Sequence, residues 1–114
     1  MSDPEILVAC LCARWCGVCR EYAAVFAQVQ AQHAHMRFVW VDVEDDADLV
    51  DPVEVDDFPT LLIAGAAQPH FFGPLPPQPG TLERIVRERS TEADPALARR
   101  ADLVALVARI RAGH

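Results

Sequence analysis

Two cysteines three positions apart, Cys16 and Cys19, are the residues whose type and spacing most directly indicate chemistry. An apolar run precedes them, and a helix-period pattern follows. If a helix begins at Cys16 or just after it, its unpaired amides and partial positive charge stabilise a thiolate there. Cys19 then lies one turn later on the same face, where it can attack a mixed disulfide on Cys16. The spacing therefore favours a redox pair, with Cys16 as the nucleophile and Cys19 as the resolving thiol.

Two further cysteines, Cys10 and Cys12, lie in the apolar run before this pair. On a strand they point to the same face at a separation of about 6.6 Å, the upper end of what a disulfide spans. Packing in the core is their default interpretation, because buried cysteines behave as small apolar residues. A zinc site built from all four cysteines is the weakest interpretation, since a strand followed by a helix does not converge four sulfurs tetrahedrally. We expect no metal.

Composition and charge limit the class of protein. The chain has 114 residues, is 52% hydrophobic and carries a net charge of −7 without a single lysine. This indicates one globular domain over residues 1–114. The absence of a basic stripe argues against nucleic-acid binding and against attachment to a membrane surface. No basic segment precedes the first apolar run as in a secretory signal, so the expected location is cytoplasmic.

Hydrophobic periodicity predicts an alternation of strands and helices. Strands are predicted over residues 5–11, 36–43, 58–64 and 69–72, and helices over residues 17–32, 46–50 and 96–111, with one more after a cap at Thr81. The first two strands, joined by a helix, should form a right-handed parallel unit. The proline-rich segment 74–80 is predicted to be a connector that is not helical.

The order of these elements and two motifs resemble the thioredoxin family. The motifs are Trp15-Cys16-Gly17-Val18-Cys19-Arg20 and Phe58-Pro59-Thr60-Leu61, and the resemblance covers residues 5–89 or so. It implies an α/β thioredoxin-like fold with a four-stranded mixed sheet. The family's first strand and helix are missing before residue 5, and an extra helix follows at about 95–112. That helix is expected to supply the missing cover of the sheet or to mediate a homodimer.

The resemblance also implies a function. Proteins of this family are thiol–disulfide oxidoreductases that exchange disulfides with protein substrates without a cofactor and are recharged by an upstream reductant. It assigns catalysis to Cys16 and Cys19. It implies a cis peptide bond before Pro59, and it places a group of residues against the substrate: Trp15, Gly17, Val18, Phe58 and Pro59.

Departures from the family are informative. The family's buried aspartate and its lysine partner, which assist proton transfer from the resolving cysteine, are replaced by Cys10 and Trp40, so the resolving step is expected to be slow. Cys12 stands where the family has a tryptophan near the active site. As an alternative to core packing, Cys12 could therefore exchange with Cys16 or Cys19.

A second function from a different class stays open. The chain could be a thioredoxin-like binding or assembly module whose groove at Pro59 holds a partner peptide and whose cysteines are structural or regulatory. The missing aspartate–lysine pair and the altered Gly17-Val18 dipeptide favour this alternative, whereas the intact Cys16 and Cys19 favour the enzyme.

Overall fold

A mixed four-stranded sheet forms the centre of the part of the chain that the computed structural model describes, which is residues 6–13, 17–51, 53, 55, 57–66, 68–74, 78–91 and 93–113. Its strands are β1 (Leu7–Cys12), β2 (Arg37–Asp42), β3 (Thr60–Ala64) and β4 (Pro69–Pro74). They lie in the order β2-β1-β3-β4. The β1 and β2 strands are parallel, and β3 runs antiparallel to both β1 and β4. The predicted α/β class and the mixed sheet are confirmed.

The helices are α1 (Gly17–Gln32), α2 (Ala47–Val50), α3 (Pro79–Arg89), α4 (Pro95–Ala98) and α5 (Ala101–Gly113). The α1 helix has the bounds that the periodicity predicts, because its buried side chains recur at helical spacing: Cys19, Tyr22, Phe26 and Val29. The predicted 58–64 strand starts two residues later, at Thr60, and β4 extends two residues further, to Pro74.

The side chains of β1 alternate between two cores, one on each face of the sheet. Leu7, Ala9 and Leu11 face a core that α5 completes with four buried residues: Leu103, Leu106, Val107 and Ile110. The alternate residues Val8, Cys10 and Cys12 face a second core that α1 and α3 complete. Every residue of β1 is buried, as expected for a strand that is covered by helices on both faces. The C-terminal helix therefore covers the sheet, which was the first of its two expected roles.

The prediction of a single helix at about 95–112 is wrong in one respect, because this segment forms two helices, α4 and α5. Leu97 of α4 packs against the same core as Leu103 of α5. Six residues apart on one straight helix, these side chains would point about 120° away from each other. A break after α4 lets both reach the core, and it places Arg100 over the ring of Phe72 and beside Asp102.

The start of α3 is a second correction. The helix begins at Pro79, so the proline-rich connector does include helical residues at its end. Proline has no amide hydrogen, but the first amides of a helix have no intrahelical partner, so proline is well suited to this position. Gln78 occupies the N-cap without a side-chain hydrogen bond, and Thr81 lies inside the helix instead of capping it.

Replacement of Gly65 by alanine is expected to lower the free energy of unfolding by about 1–3 kcal/mol, the usual cost of overpacking. A Cβ atom on Gly65 would lie 2.6 Å from Nε2 of His70. The His70 ring is buried and cannot retreat easily, because its Nδ1–H donates to the carbonyl of Arg89 at 2.8 Å.

Gly80→Ala is the matched control, because a Cβ atom there meets nothing within 4 Å. On α3 it should leave stability unchanged or raise it by about 0.4–1 kcal/mol. Urea unfolding of the two variants measures the difference. Equal stabilities would show that the hairpin turn accommodates the added methyl group.

Candidate functional site

The site centres on Cys19, in the first turn of α1. Its side chain is 1% exposed and points back to the end of β1. There Cys19 forms a disulfide with Cys12, and the Cα atoms of the two residues are 5.8 Å apart. The arrangement follows from the βα connection, because the carboxyl end of β1 leads directly into the N-terminus of α1.

The partner of Cys19 therefore differs from the predicted one. The spacing paired Cys19 with Cys16, whereas the structure joins Cys19 to Cys12, the residue for which exchange was only the alternative expectation. Cys16 and Trp15 lie outside the described residues, so the predicted nucleophile and its neighbour stay predictions. Sequence spacing alone did not identify Cys12 as the partner. The signal that pointed to Cys12 was the family resemblance, which places it where the family has a tryptophan near the active site.

Cys10 is the third sulfur of this cluster. Its Sγ lies 3.8 Å from Sγ of Cys12, and both side chains are buried. In the disulfide, Cys12 has no hydrogen to give, so the thiol of Cys10 must be the donor. Burial raises the pKa of the Cys10 thiol from 9.0 to about 12, because the apolar surroundings disfavour the thiolate. Cys10 thus keeps its proton and acts as a weak hydrogen-bond donor.

Raising the pH above 9 should destabilise the reduced protein through Cys10. The unfolded thiol loses its proton at lower pH than the folded one, whose pKa is about 12. Between these values the unfolded state binds fewer protons, so the free energy of unfolding falls as the pH rises, by at most about 1.4 kcal/mol per pH unit.

Urea unfolding of the fully reduced protein at a series of alkaline pH values measures this slope, and Cys10→Ala should flatten it. Tyr22 is present in both proteins and its hydroxyl pKa is raised mainly by burial, so only the smaller part of its shift that Cys10 causes differs between them. Parallel curves for the wild type and the variant would contradict the assignment to Cys10.

Cys10 and Trp40, which the resemblance places at the positions of the family's aspartate–lysine pair, lie side by side. Cys10 and Trp40 are paired across the parallel strands β1 and β2. The Trp40 ring packs edge-on against Phe26, with ring centroids 5.7 Å apart. A thiol that keeps its proton and an indole ring stand where the family has a charged pair, so neither can take a proton from Cys19 near neutral pH.

Gly17 and Val18 open α1 and lie on the surface. Gly17 is the first residue of the helix. Val18 is 40% exposed. Among the large apolar side chains of the described residues, it is the one classed as exposed. Both residues follow the predicted nucleophile directly in the sequence.

Phe58 and Pro59 lie at the same end of the sheet as Cys12. Thr60 pairs with Leu11 in the antiparallel β1–β3 ladder, so Pro59 comes opposite Cys12 and Phe58 continues past the end of β1. The Phe58–Pro59 peptide bond is cis, as the resemblance implied. Phe58 is partly buried against the core that contains Cys12 and Cys19. The structure therefore brings the Phe58–Pro59 segment and the cysteine cluster together.

A cavity of about 400 Å³ opens beside Cys19, between α1 and the end of β2. Arg20, Trp40 and Asp42 contribute to its wall. A carboxylate oxygen of Asp42 accepts hydrogen bonds from the amides of Glu44 and Asp45, at 2.9 and 3.0 Å, which closes the turn after β2. Asp42 was not among the predicted site residues, although an aspartate at the end of a strand often makes such a turn.

No group of three or more metal-ligating side chains converges within the described ranges. In the same ranges, no helix is long and apolar enough to cross a bilayer. The described residues do bring together three sulfur atoms, those of Cys10, Cys12 and Cys19.

Comparison with known proteins gives a consistent family. A family model described as thioredoxin matches residues 1–75. Thioredoxin H4-2 of Oryza sativa subsp. japonica is 33% identical over 60 residues, which are 53% of this chain and 46% of that protein. Thioredoxin C-3 of Corynebacterium nephridii is 37% identical over 62 residues, 54% of this chain and 42% of that protein. The chain thus spans less than half the length of these two curated relatives.

A solved structure agrees with the sequence comparisons. The thioredoxin of Trypanosoma brucei brucei superposes with a TM-score of 0.66 at 25% identity, over 77% of each chain. The mixed sheet with helices on both faces is therefore shared with that protein.

Proposed function

Because this chain belongs to the thioredoxin family, we propose that it is a thiol–disulfide oxidoreductase that reduces disulfides in protein substrates. The observation that carries the proposal is the disulfide of Cys19 in the first turn of α1. A cysteine at the start of a helix, next to a second sulfur that can bond to it, is arranged for reversible exchange.

The reaction proceeds in two exchanges. The thiolate of Cys16, which immediately precedes the first residue of α1, attacks one sulfur of the substrate disulfide and displaces the other as a thiolate. The helix N-terminus supplies partial positive charge that favours the Cys16 thiolate. Cys19 then attacks Sγ of Cys16, which releases the second substrate thiol and leaves Cys16 and Cys19 joined by a disulfide.

We assign substrate contact to the residues that the family resemblance indicates, which are Trp15, Gly17, Val18, Phe58 and Pro59. The exposed Val18 and the partly buried Phe58 support this assignment. An extended peptide of the substrate would lie beside the Phe58–Pro59 segment in the manner of an added strand.

The cycle needs an upstream dithiol reductant and no cofactor. The cytoplasm is the proposed compartment, because a pair that cycles between thiol and disulfide suits a reducing environment better than a static disulfide does. We propose no dimer through the C-terminal helix, since the apolar stripe of α5 is buried against the sheet of the same chain.

The alternative is a binding module that holds a partner peptide at Pro59 without turnover. The replacement of the family's proton-handling pair by Cys10 and Trp40 favours it. Reduction of insulin with dithiothreitol as electron donor separates the two functions. A chain that does not accelerate this reaction, although its cysteines are reactive towards an alkylating reagent, is a binding module and not an oxidoreductase.

A further inference from the structure

We propose that Cys12 is a third exchanging thiol of this site. It displaces Cys16 from the Cys16–Cys19 disulfide and bonds to Cys19 itself. The disulfide of the oxidised chain then lies inside the fold, and Cys16 becomes a free thiol again. This inference rests on the proposed function, because it needs the Cys16–Cys19 disulfide as its starting point. It adds a residue that the C-x-x-C spacing does not include.

The geometry that supports Cys12 is its approach to Cys19. Cys12 ends β1 and Cys19 lies in the first turn of α1, two elements held together by the same core. Their Cα atoms, 5.8 Å apart, are within the separation that disulfides bridge, and the bond is formed in the structure. Each side chain is 1% exposed, so the resulting disulfide is shielded from a protein substrate.

The step is an isomerisation and needs no external oxidant. The thiolate of Cys12 attacks Sγ of Cys19, the Cys12–Cys19 bond forms, and the Cys16–Cys19 bond breaks. Cys16 leaves as a thiolate, and the proton that Cys12 lost to water is balanced by the one that Cys16 can take up. The number of disulfides in the chain stays at one, because Cys12 is oxidised from thiol to disulfide while Cys16 is reduced from disulfide to thiolate.

Cys10 supports the Cys12 thiolate that this step requires. The Cys10 thiol lies 3.8 Å from Sγ of Cys12 and donates towards it. A hydrogen bond to the charged form of a group favours that form. Because Cys10 keeps its proton, it can assist Cys12 but does not compete with it as a nucleophile. The cavity beside Cys19 gives water and small thiols a route to the Cys19 sulfur of the Cys12–Cys19 disulfide.

The two disulfides therefore correspond to two different states of the site. When Cys16 and Cys19 are joined, the site has just completed a turnover. When Cys12 and Cys19 are joined, Cys16 is free to attack a second substrate, but its resolving partner is occupied. The second substrate then stays attached as a mixed disulfide until a reductant opens the Cys12–Cys19 bond.

Disulfide mapping tests the proposal without any substrate. The full chain is oxidised by one equivalent of a two-electron thiol oxidant, quenched in acid, unfolded, alkylated and digested at low pH for mass spectrometry. In the wild type we expect the Cys12–Cys19 link, with Cys10 and Cys16 alkylated. In Cys12→Ala we expect the Cys16–Cys19 link to be the main disulfide. Its yield should be about tenfold or more above its yield in the wild type, where it is a minor species.

Cys10→Ala is the matched control, because it removes a buried cysteine of the same strand that is not bonded to Cys19. It should keep the Cys12–Cys19 link as the main disulfide at equilibrium, although the link should form more slowly without the Cys10 thiol beside Cys12. A wild-type map with the Cys16–Cys19 link as its main disulfide overturns the proposal, and if insulin is still reduced, the proposed function stands without it.

Treatment of the oxidised, folded chain with dithiothreitol completes the test. An exchanging Cys12–Cys19 disulfide opens at the same rate as the chain's insulin-reducing cycle or faster. A link that persists while insulin is being reduced is a static structural disulfide, and that outcome also overturns the proposal. If the Cys12–Cys19 link opens but the chain does not reduce insulin, the proposed oxidoreductase function is wrong, whereas the exchange at Cys12 is supported.

Discussion

Cys16→Ser is expected to abolish the reduction of insulin above the rate of dithiothreitol alone. A serine hydroxyl does not ionise near neutral pH and does not form a disulfide, so the first exchange with the substrate cannot occur. The Cys19 sulfur does not replace it, because Cys19 is 1% exposed and a protein disulfide cannot approach it directly. Insulin precipitation, followed by turbidity, measures the loss.

Two comparison variants sharpen this result. Cys19→Ser keeps the first exchange but lacks the resolving thiol, so it should accumulate a mixed disulfide between Cys16 and insulin that is visible on a non-reducing gel. Gly80→Ala, whose added methyl group meets nothing within 4 Å, should reduce insulin at the wild-type rate. Wild-type activity of Cys16→Ser would show that the exchange enters the chain at another cysteine.

Leu106→Ala is expected to lower the free energy of unfolding by about 2–5 kcal/mol, the range for a leucine deleted from a well-packed core. Leu106 is fully buried and belongs to the core that α5 forms with the sheet. Its removal leaves a cavity against strands that are buried on both faces. Denaturation with urea, monitored by circular dichroism, measures the change.

Val104→Ala on the same helix is the control for Leu106→Ala. Val104 is only half-buried, so the smaller side chain leaves less apolar surface without a partner and the loss should be clearly smaller. Equal losses at the two positions would mean that α5 does not lie on the sheet in solution. A large loss confined to Leu106 also identifies this helix as part of the stable core.

Local pattern determined much of the fold. The α1 helix has the predicted bounds because its apolar stripe repeats at helical spacing over four turns. The parallel pairing of β1 with β2 follows from the helix between them. The break between α4 and α5 could not be predicted in this way, because it depends on Leu97 and Leu103 reaching one core. The start of α3 at Pro79 could not be predicted from segment 74–80, because proline both breaks helices and suits their first position, and several prolines stand close together there.

The sequence by itself determined the family, the Cys16 and Cys19 motif, and the Phe58–Pro59 segment with its cis peptide bond. These depend on residue types at short spacing, which a chain displays without being folded. Only the tertiary structure decided that Cys12 is the partner of Cys19. The two residues are seven positions apart, with a strand end and a helix start between them, and sulfur atoms form a bond only where the fold brings them within reach.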